Sequence, residues 1–253
     1  MTLLSTIRDL HRRKARERRH LALAEGVRLV EEMLAANVAC KGAVVSPALE
    51  ATPRGAALLA ALATRNGPIE RVDDRELAGR AATEHPQGIV VAYQPREWTL
   101  DDCRVAAGAP LVVLDAVQDP GNVGTIARTA LAFGGAGLVA LPGTVDLANP
   151  KAVRAAAGAL FRVPHLHADR DTLLDWLHRR GVAVWATTMD GEPLTRDVPE
   201  AVVALVLGNE GAGIDSALLA AAARRVSIPI RPDAESLNVA VAAGILLHHL
   251  GTA

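Results

Sequence analysis

Aromatic side chains are nearly absent from this chain. They make up 2% of its 253 residues: Tyr93, Trp98, Phe133, Phe161, Trp176 and Trp185. That scarcity argues against a base-stacking platform of the kind single-strand binders build from successive rings. Any nucleic acid would have to be held by arginines and backbone amides. Cysteine is as rare, and Cys40 and Cys103 stand too far apart in sequence for a metal pair or a disulfide framework. Two buried structural thiols in a reducing cytosol are expected. No apolar run reaches the ~18 residues of a membrane helix. The opening "MTLLSTIRDLHRRKARERRH" lacks the apolar core and small-residue cleavage site of a secretory signal. A cytoplasmic protein without membrane attachment is therefore expected. Net charge is also close to nil, at −1.

That charge is unevenly spread. Within residues 1–20, Arg8, Arg12, Arg13, Lys14, Arg16, Arg18 and Arg19 face only Asp9 and Glu17, a local excess of +5 that leaves −6 for the rest. One basic end on a near-neutral chain suits a local polyanion contact. A solvated basic helix face fits as well.

The pattern of elements points to an α/β protein in two parts. Residues 1–94 alternate, with "ERRHLALAEGVRLVEEMLAAN" helix-like over much of its length. "KGAVVS" and "GIVVAYQ" read as strands, and "GAALLAALATRNG" as a helix ending at Gly67. Residues 95–110 carry two prolines and little periodicity, which suggests a boundary there. Beyond it, short apolar strands at "LVVLDAV", "AGLVAL", "RVPHLH", "VAVWATT", "VVALVLG" and "VSIPI" alternate with helices. That alternation implies a parallel sheet covered on both faces, with ligands beyond the carboxyl ends of its strands.

Three loops at such ends look chemical. In "DAVQDPGNVGTIARTALAFGG", Gly121 and Gly124 permit a tight turn, Asn122 can hydrogen-bond within it, and a helix is expected from about Val123. Arg128 would then lie about one turn into that helix. The glycine spacing matches neither a dinucleotide fingerprint nor a phosphate loop. In "VVALVLGNEGAGI", an apolar strand runs into Gly208, Gly211 and Gly213, with Glu210 at the rim. In "VSIPIRPDAESLNVAVAAGILLHHL", a strand ending around Pro229 leads to a helix beginning near Ser236, which Ser236 or Asn238 could cap. Each loop alone also reads as an ordinary connection.

Taken together, the three resemble the motifs of the SpoU (TrmH-like) branch of the SPOUT RNA methyltransferases, in the same order. Asn122, Gly124 and Arg128 match the first motif. Gly208, Asn209, Glu210 and Gly211 match the second. Ile228, Pro229, Ser236, Leu237 and Asn238 match the third. "NPKAVRAAAGALFRVP" is similar to a further family segment, with Ala156 where many members have serine. The resemblance covers roughly the last 145 residues strongly. Residues 1–98 look more loosely like the small, ribosomal-protein-like RNA-binding domain that many members carry, with the methyltransferase domain at 108–253.

The resemblance implies a parallel α/β sheet tied in a deep trefoil knot, a homodimer, and S-adenosylmethionine as cofactor. The cofactor would be held by Gly208, Asn209, Gly211, Ile228, Leu237 and Asn238. The reaction implied is methyl transfer to a ribose 2′-hydroxyl of RNA. Arg128 would be central, with Asn122, Glu210, Ser236 and Asn238 around it. A guanidinium is normally a donor, so two roles for Arg128 stay open: transient base, or stabiliser of the developing alkoxide. Arg12, Arg13, Lys14, Arg18, Arg19 and Arg154 become candidate RNA contacts. By family analogy the extra domain points to ribosomal rather than transfer RNA. A non-catalytic RNA-binding module and a nicotinamide-dependent enzyme are the rivals. The pairs His165/His167 and His248/His249 lack a third ligand at useful spacing, so no metal is expected.

Overall fold

The computed structural model describes residues 2–65, 67–81, 86–194 and 202–251. The chain divides into two compact units, Met1–Arg96 with Ala148–Phe161, and Glu97–Leu147 with Arg162–Ala253.

The first unit opens with α1 (Leu3–Leu10), started by Thr2, whose hydroxyl accepts from the Ser5 amide at 3.2 Å. It buries Leu4, Ile7 and Leu10, a helical spacing. There follow α2 (Arg13–Arg19), β1 (Ala22–Glu25), α3 (Val27–Ala35), β2 (Ala39–Val45), α4 (Pro47–Glu50), α5 (Pro53–Ala63), β3 (Ile69–Arg71), α6 (Asp74–Ala78) and β4 (Ile89–Gln94). The sheet order is β1-β4-β2-β3, parallel only between β2 and β3. The helical reading of residues 17–37 is interrupted here. Ala22–Glu25 pair with β4 as a fully buried strand, and Gly26 turns the chain into α3 at φ +92°. Tertiary pairing overrides the helical preference of Leu and Ala.

The second unit begins with β5 (Leu111–Leu114), α7 (Pro120–Ala132) and β6 (Gly137–Ala140). The chain then supplies α8 (Pro150–Ala155) to the first unit, where it packs on β1. Further along this stretch, Phe161 meets Tyr93 edge-on at 5.3 Å. The second unit resumes with β7 (His165–His167), α9 (Arg170–Arg180), β8 (Ala183–Pro193), β9 (Val203–Leu207), α10 (Ser216–Ala221), β10 (Arg224–Ser227) and α11 (Val239–Leu250). The six strands form one parallel sheet in the order β10-β8-β9-β5-β6-β7. β5, β6 and β9 are buried at every residue, which is why they read as unbroken apolar runs.

Two features of this unit position the site. β5 and β9 are neighbours with Leu114 opposite Leu207, so the loops that leave them do so side by side. α7 and α11 pack against each other, which lets their first turns approach. No helix among the described residues is long and apolar enough to cross a membrane.

Candidate active site

The "DPGNVG" stretch is helix rather than turn. Asp119 caps α7, its Oδ1 accepting from the Asn122 amide at 2.8 Å, and Pro120 takes the first helical position, where its missing N–H costs nothing. A Cβ on residue 121 would sit 2.9 Å from that capping oxygen, so glycine leaves room for the cap. Because the helix starts at Pro120 instead of near Val123, Arg128 lies about two turns in.

The loop after β9 is built around Asn209. Its Oδ1 accepts from the amides of Gly211 and Ala212, both at 2.9 Å, and its Nδ2 donates to the Ala116 carbonyl at 2.9 Å. The Asn209 side chain thus shapes the loop through three hydrogen bonds. Gly208 is dictated by the same closure, since a Cβ there would lie 2.6 Å from the Gly213 carbonyl carbon. Gly211 is different. A Cβ there would meet only Asn209 Oδ1 at 3.6 Å, so its missing side chain leaves open space.

Sequence reasoning passed over Asp115, the lone carboxylate in "LVVLDAV". It is 3% exposed and accepts from the Asp215 amide at 2.7 Å through Oδ2. Arg170 lies 3.5 Å from Asp115 and 3.4 Å from Asp215, which offsets the burial of that charge. This cluster ties the Asp215 end of the Gly208–Asp215 loop to the end of β5.

The third segment runs irregularly from Ile228 to Asn238, because β10 stops at Ser227, before the proline, and α11 starts only at Val239. Asn238, not Ser236, is the cap. Its Oδ1 accepts from the amides of Ala240 at 2.9 Å and Val241 at 3.3 Å. That role fixes which way the Asn238 amide faces, so its Nδ2 points outward and donates to Asn122 Oδ1 at 3.0 Å. Asn122 is oriented in turn, and its Nδ2 donates to Glu210 Oε1 at 2.7 Å. One directed chain of hydrogen bonds therefore joins the three segments.

Beside it lies a cavity of about 680 Å³, within the range of small-molecule sites. Its lining includes Gly208, Asn209, Glu210, Gly211, Ile228, Ser236, Leu237 and Asn238, with apolar walls from Leu207, Ile214, Leu219, Val226 and Leu246. Arg128 is exposed and makes no hydrogen bond or ion pair among the described residues. It is bonded to neither Asn122 nor Glu210, and it does not line the cavity.

A family model described as SpoU rRNA Methylase matches residues 109–248. The chain belongs to the SpoU rRNA methylase family. A second model, described as an MRM3-like substrate binding domain, matches residues 4–91. Among curated relatives, the 23S rRNA (guanosine(2553)-2'-O)-methyltransferase RlmP of Bacillus subtilis is 35% identical over 245 residues, 96% of this chain and 93% of its own. An AdoMet-bound rRNA methyltransferase from Sinorhizobium meliloti superposes with a TM-score of 0.87 at 31% identity, covering 98% of this chain and 93% of that one. The SpoU methyltransferase AviRb from Streptomyces viridochromogenes, also in complex with AdoMet, gives 0.87 at 25% identity, covering 99% and 97%.

The cavity of this SpoU family member suits such a cofactor on its own terms. Gly211 leaves space on the wall for a ligand, and the Thr188 hydroxyl of the lining is buried without a hydrogen-bond partner among the described residues. The cationic candidates all fall in the first unit, Arg154 among them. Arg12 and Lys14 are exposed, Arg13 pairs with Glu17 at 2.7 Å, and Arg18 and Arg19 lie 3.9 and 3.3 Å from Asp9. Arg16 is 5% exposed and donates to the carbonyls of Leu10 and His11, closing the end of α1.

Proposed function

We propose that this chain transfers the methyl group of S-adenosylmethionine to a ribose 2′-hydroxyl of ribosomal RNA. The observation that carries the reading is the directed chain Asn238–Asn122–Glu210 at the cavity, made by three segments far apart in sequence. The relatives named for a defined reaction, RlmP of Bacillus subtilis among them, are named for 23S rRNA, which supports ribosomal over transfer RNA.

The cofactor supplies an electrophilic methyl on a sulfonium. Gly208, Gly211, Ile228 and Leu237 hold it through backbone and apolar contact, and Asn209 keeps their loop in shape. Asn122, Glu210, Ser236 and Asn238 set the acceptor ribose in line for displacement. Arg128, exposed and without a hydrogen bond or ion pair among the described residues, reaches the RNA as a donor and stabilises the developing alkoxide while water takes the 2′-hydroxyl proton. Residues 1–98 bind the RNA substrate through Arg12, Arg13, Lys14, Arg18 and Arg19, helped by Arg154, and residues 108–253 carry the chemistry. Two copies associate through α7 and α11, where Leu131, Val241 and Ile245 are exposed at 41%, 51% and 37%. The trefoil knot and a cytoplasmic location belong to the same proposal.

Arg128→Ala tests the central role. Calorimetry should give S-adenosylmethionine affinity within about twofold of the parent, while methyl transfer to ribosomal RNA falls about 100-fold or more. Loss of cofactor binding in the variant would make Arg128 structural. Mapping 2′-O-methylation in ribosomal and transfer RNA, with and without the protein, identifies the substrate.

A further inference from the structure

β5 and β9 stay joined past the ends of their strands. The Asp115 amide donates to the Leu207 carbonyl at 2.9 Å, which carries the pairing one residue beyond Leu114. The loop after β9 then closes on itself, with the amides of Asn209 and Gly213 each donating to the other's carbonyl at 2.9 Å. Glu210, Gly211 and Ala212 form its tip. All three are exposed, so the two limbs of the loop, and not packing of the tip, set the direction of Glu210.

Two consecutive residues hold both limbs. The outgoing limb hangs on backbone, since Asn209 Nδ2 donates to the Ala116 carbonyl at 2.9 Å. Ala116 takes φ +56° there, a left-handed conformation that alanine avoids unless its surroundings impose it. The returning limb hangs on a side chain, with the Asp215 amide donating to Asp115 Oδ2 at 2.7 Å.

That second tie brings two carboxylates together. Arg170, the first residue of α9, stands between them, its Nη2 3.5 Å from Asp115 Oδ1 and its Nε 3.4 Å from Asp215 Oδ1. Without this guanidinium the returning limb would meet a buried, uncompensated charge.

We propose that Asp115, neutralised by Arg170, is a positioning residue of the transfer reaction: it fixes the returning limb and thereby aims Glu210 at Asn122. The proposal rests on the methyl-transfer reading, and its first measurement needs no turnover.

In the ligand-free full chain, nitrogen–proton NMR follows the side-chain amide of Asn122, which donates to Glu210. Asp115→Asn and Arg170→Met move that signal to where Glu210→Ala puts it. Arg170→Lys, which keeps the charge, leaves it near the parent position. Single-turnover methylation of ribosomal RNA at saturating S-adenosylmethionine falls about tenfold in Asp115→Asn and Arg170→Met, and Arg170→Lys retains about a third of the parent rate or more. Added to Glu210→Ala, either damaging substitution slows transfer by less than about twofold further, because a residue that acts through Glu210 has nothing left to aim. Arg170→Met, at a side chain 29% exposed, carries the test by itself where Asp115→Asn melts below the assay temperature. An Asn122 signal at the parent position in Arg170→Met, or rate losses that multiply with that of Glu210→Ala, overturns the positioning role. A parent chain that shows the Asn122–Glu210 bond yet transfers no methyl group overturns the reading of function itself.

Discussion

Asn238 performs two tasks with two different atoms, so they can be separated by one substitution. Its Oδ1 caps α11, and its Nδ2 holds Asn122. Asn238→Asp keeps an acceptor at the helix start, where a negative charge is also favoured by the helix dipole. It removes the only donor that faces Asn122 Oδ1 in this chain of bonds. Asn122 cannot repair the contact by flipping its amide, because its carbonyl oxygen would then face the Glu210 carboxylate. Asn238→Ala removes both tasks. A lost cap costs about 1 kcal/mol and a lost hydrogen bond about 1 kcal/mol more. Together, about 2 kcal/mol corresponds to a midpoint drop of about 4–8 °C in a chain of this size. The expected pattern is a melting midpoint within about 2 °C of the parent for Asn238→Asp, with turnover reduced about tenfold or more, and losses in both measurements for Asn238→Ala. Thermal melts and single-turnover methylation at saturating RNA read these out. Parent-like turnover in Asn238→Asp would refute the idea that the directed chain of hydrogen bonds matters to the reaction.

The glycines of the β9 loop divide by cause. Gly208→Ala forces a Cβ to 2.6 Å from the Gly213 backbone, so both stability (by about 1–3 kcal/mol) and cofactor affinity fall. Gly211→Ala, with open space around it, leaves the melt unchanged and weakens only the cofactor in calorimetry. The basic N-terminus divides likewise. Arg16→Ala strips the buried donor from Leu10 and His11 and lowers the melting midpoint. Arg12→Ala with Lys14→Ala leaves the melt alone and flattens the salt dependence of RNA binding, by about 0.7 in slope for each phosphate of a single strand that is no longer neutralised.

The second unit was the more legible part of this chain. Its buried strands announce themselves as "LVVL", "GLVA" and "VALVL", because a parallel sheet covered on both faces has no polar side to interrupt the run. β1 was hidden because "ALAE" suits a helix locally and becomes a strand only by pairing with β4. The start of α7 carried a readable sign, Asp before Pro, but the two glycines that follow look like a turn. The motif residues could be picked out by resemblance, whereas the way they touch one another could not. Asn122 reaches Glu210 and Asn238 across 88 and 116 residues, a meeting fixed by strand register and by the packing of α7 on α11. Arg16 and Arg12 are the same residue type, and α2 is too short to display a period that would separate the buried one from the exposed one.

The first unit is not contiguous in sequence, and this bears on how the protein is made. Ala152, Val153, Ala156, Leu160 and Phe161 are buried, and Phe161 rests on Tyr93. During translation the amino-terminal half-core therefore waits, with part of its apolar surface uncovered, until the ribosome has released residue 161. A gene cut between residues 96 and 109 would strand that missing piece on the wrong polypeptide and leave each fragment with a greasy scar.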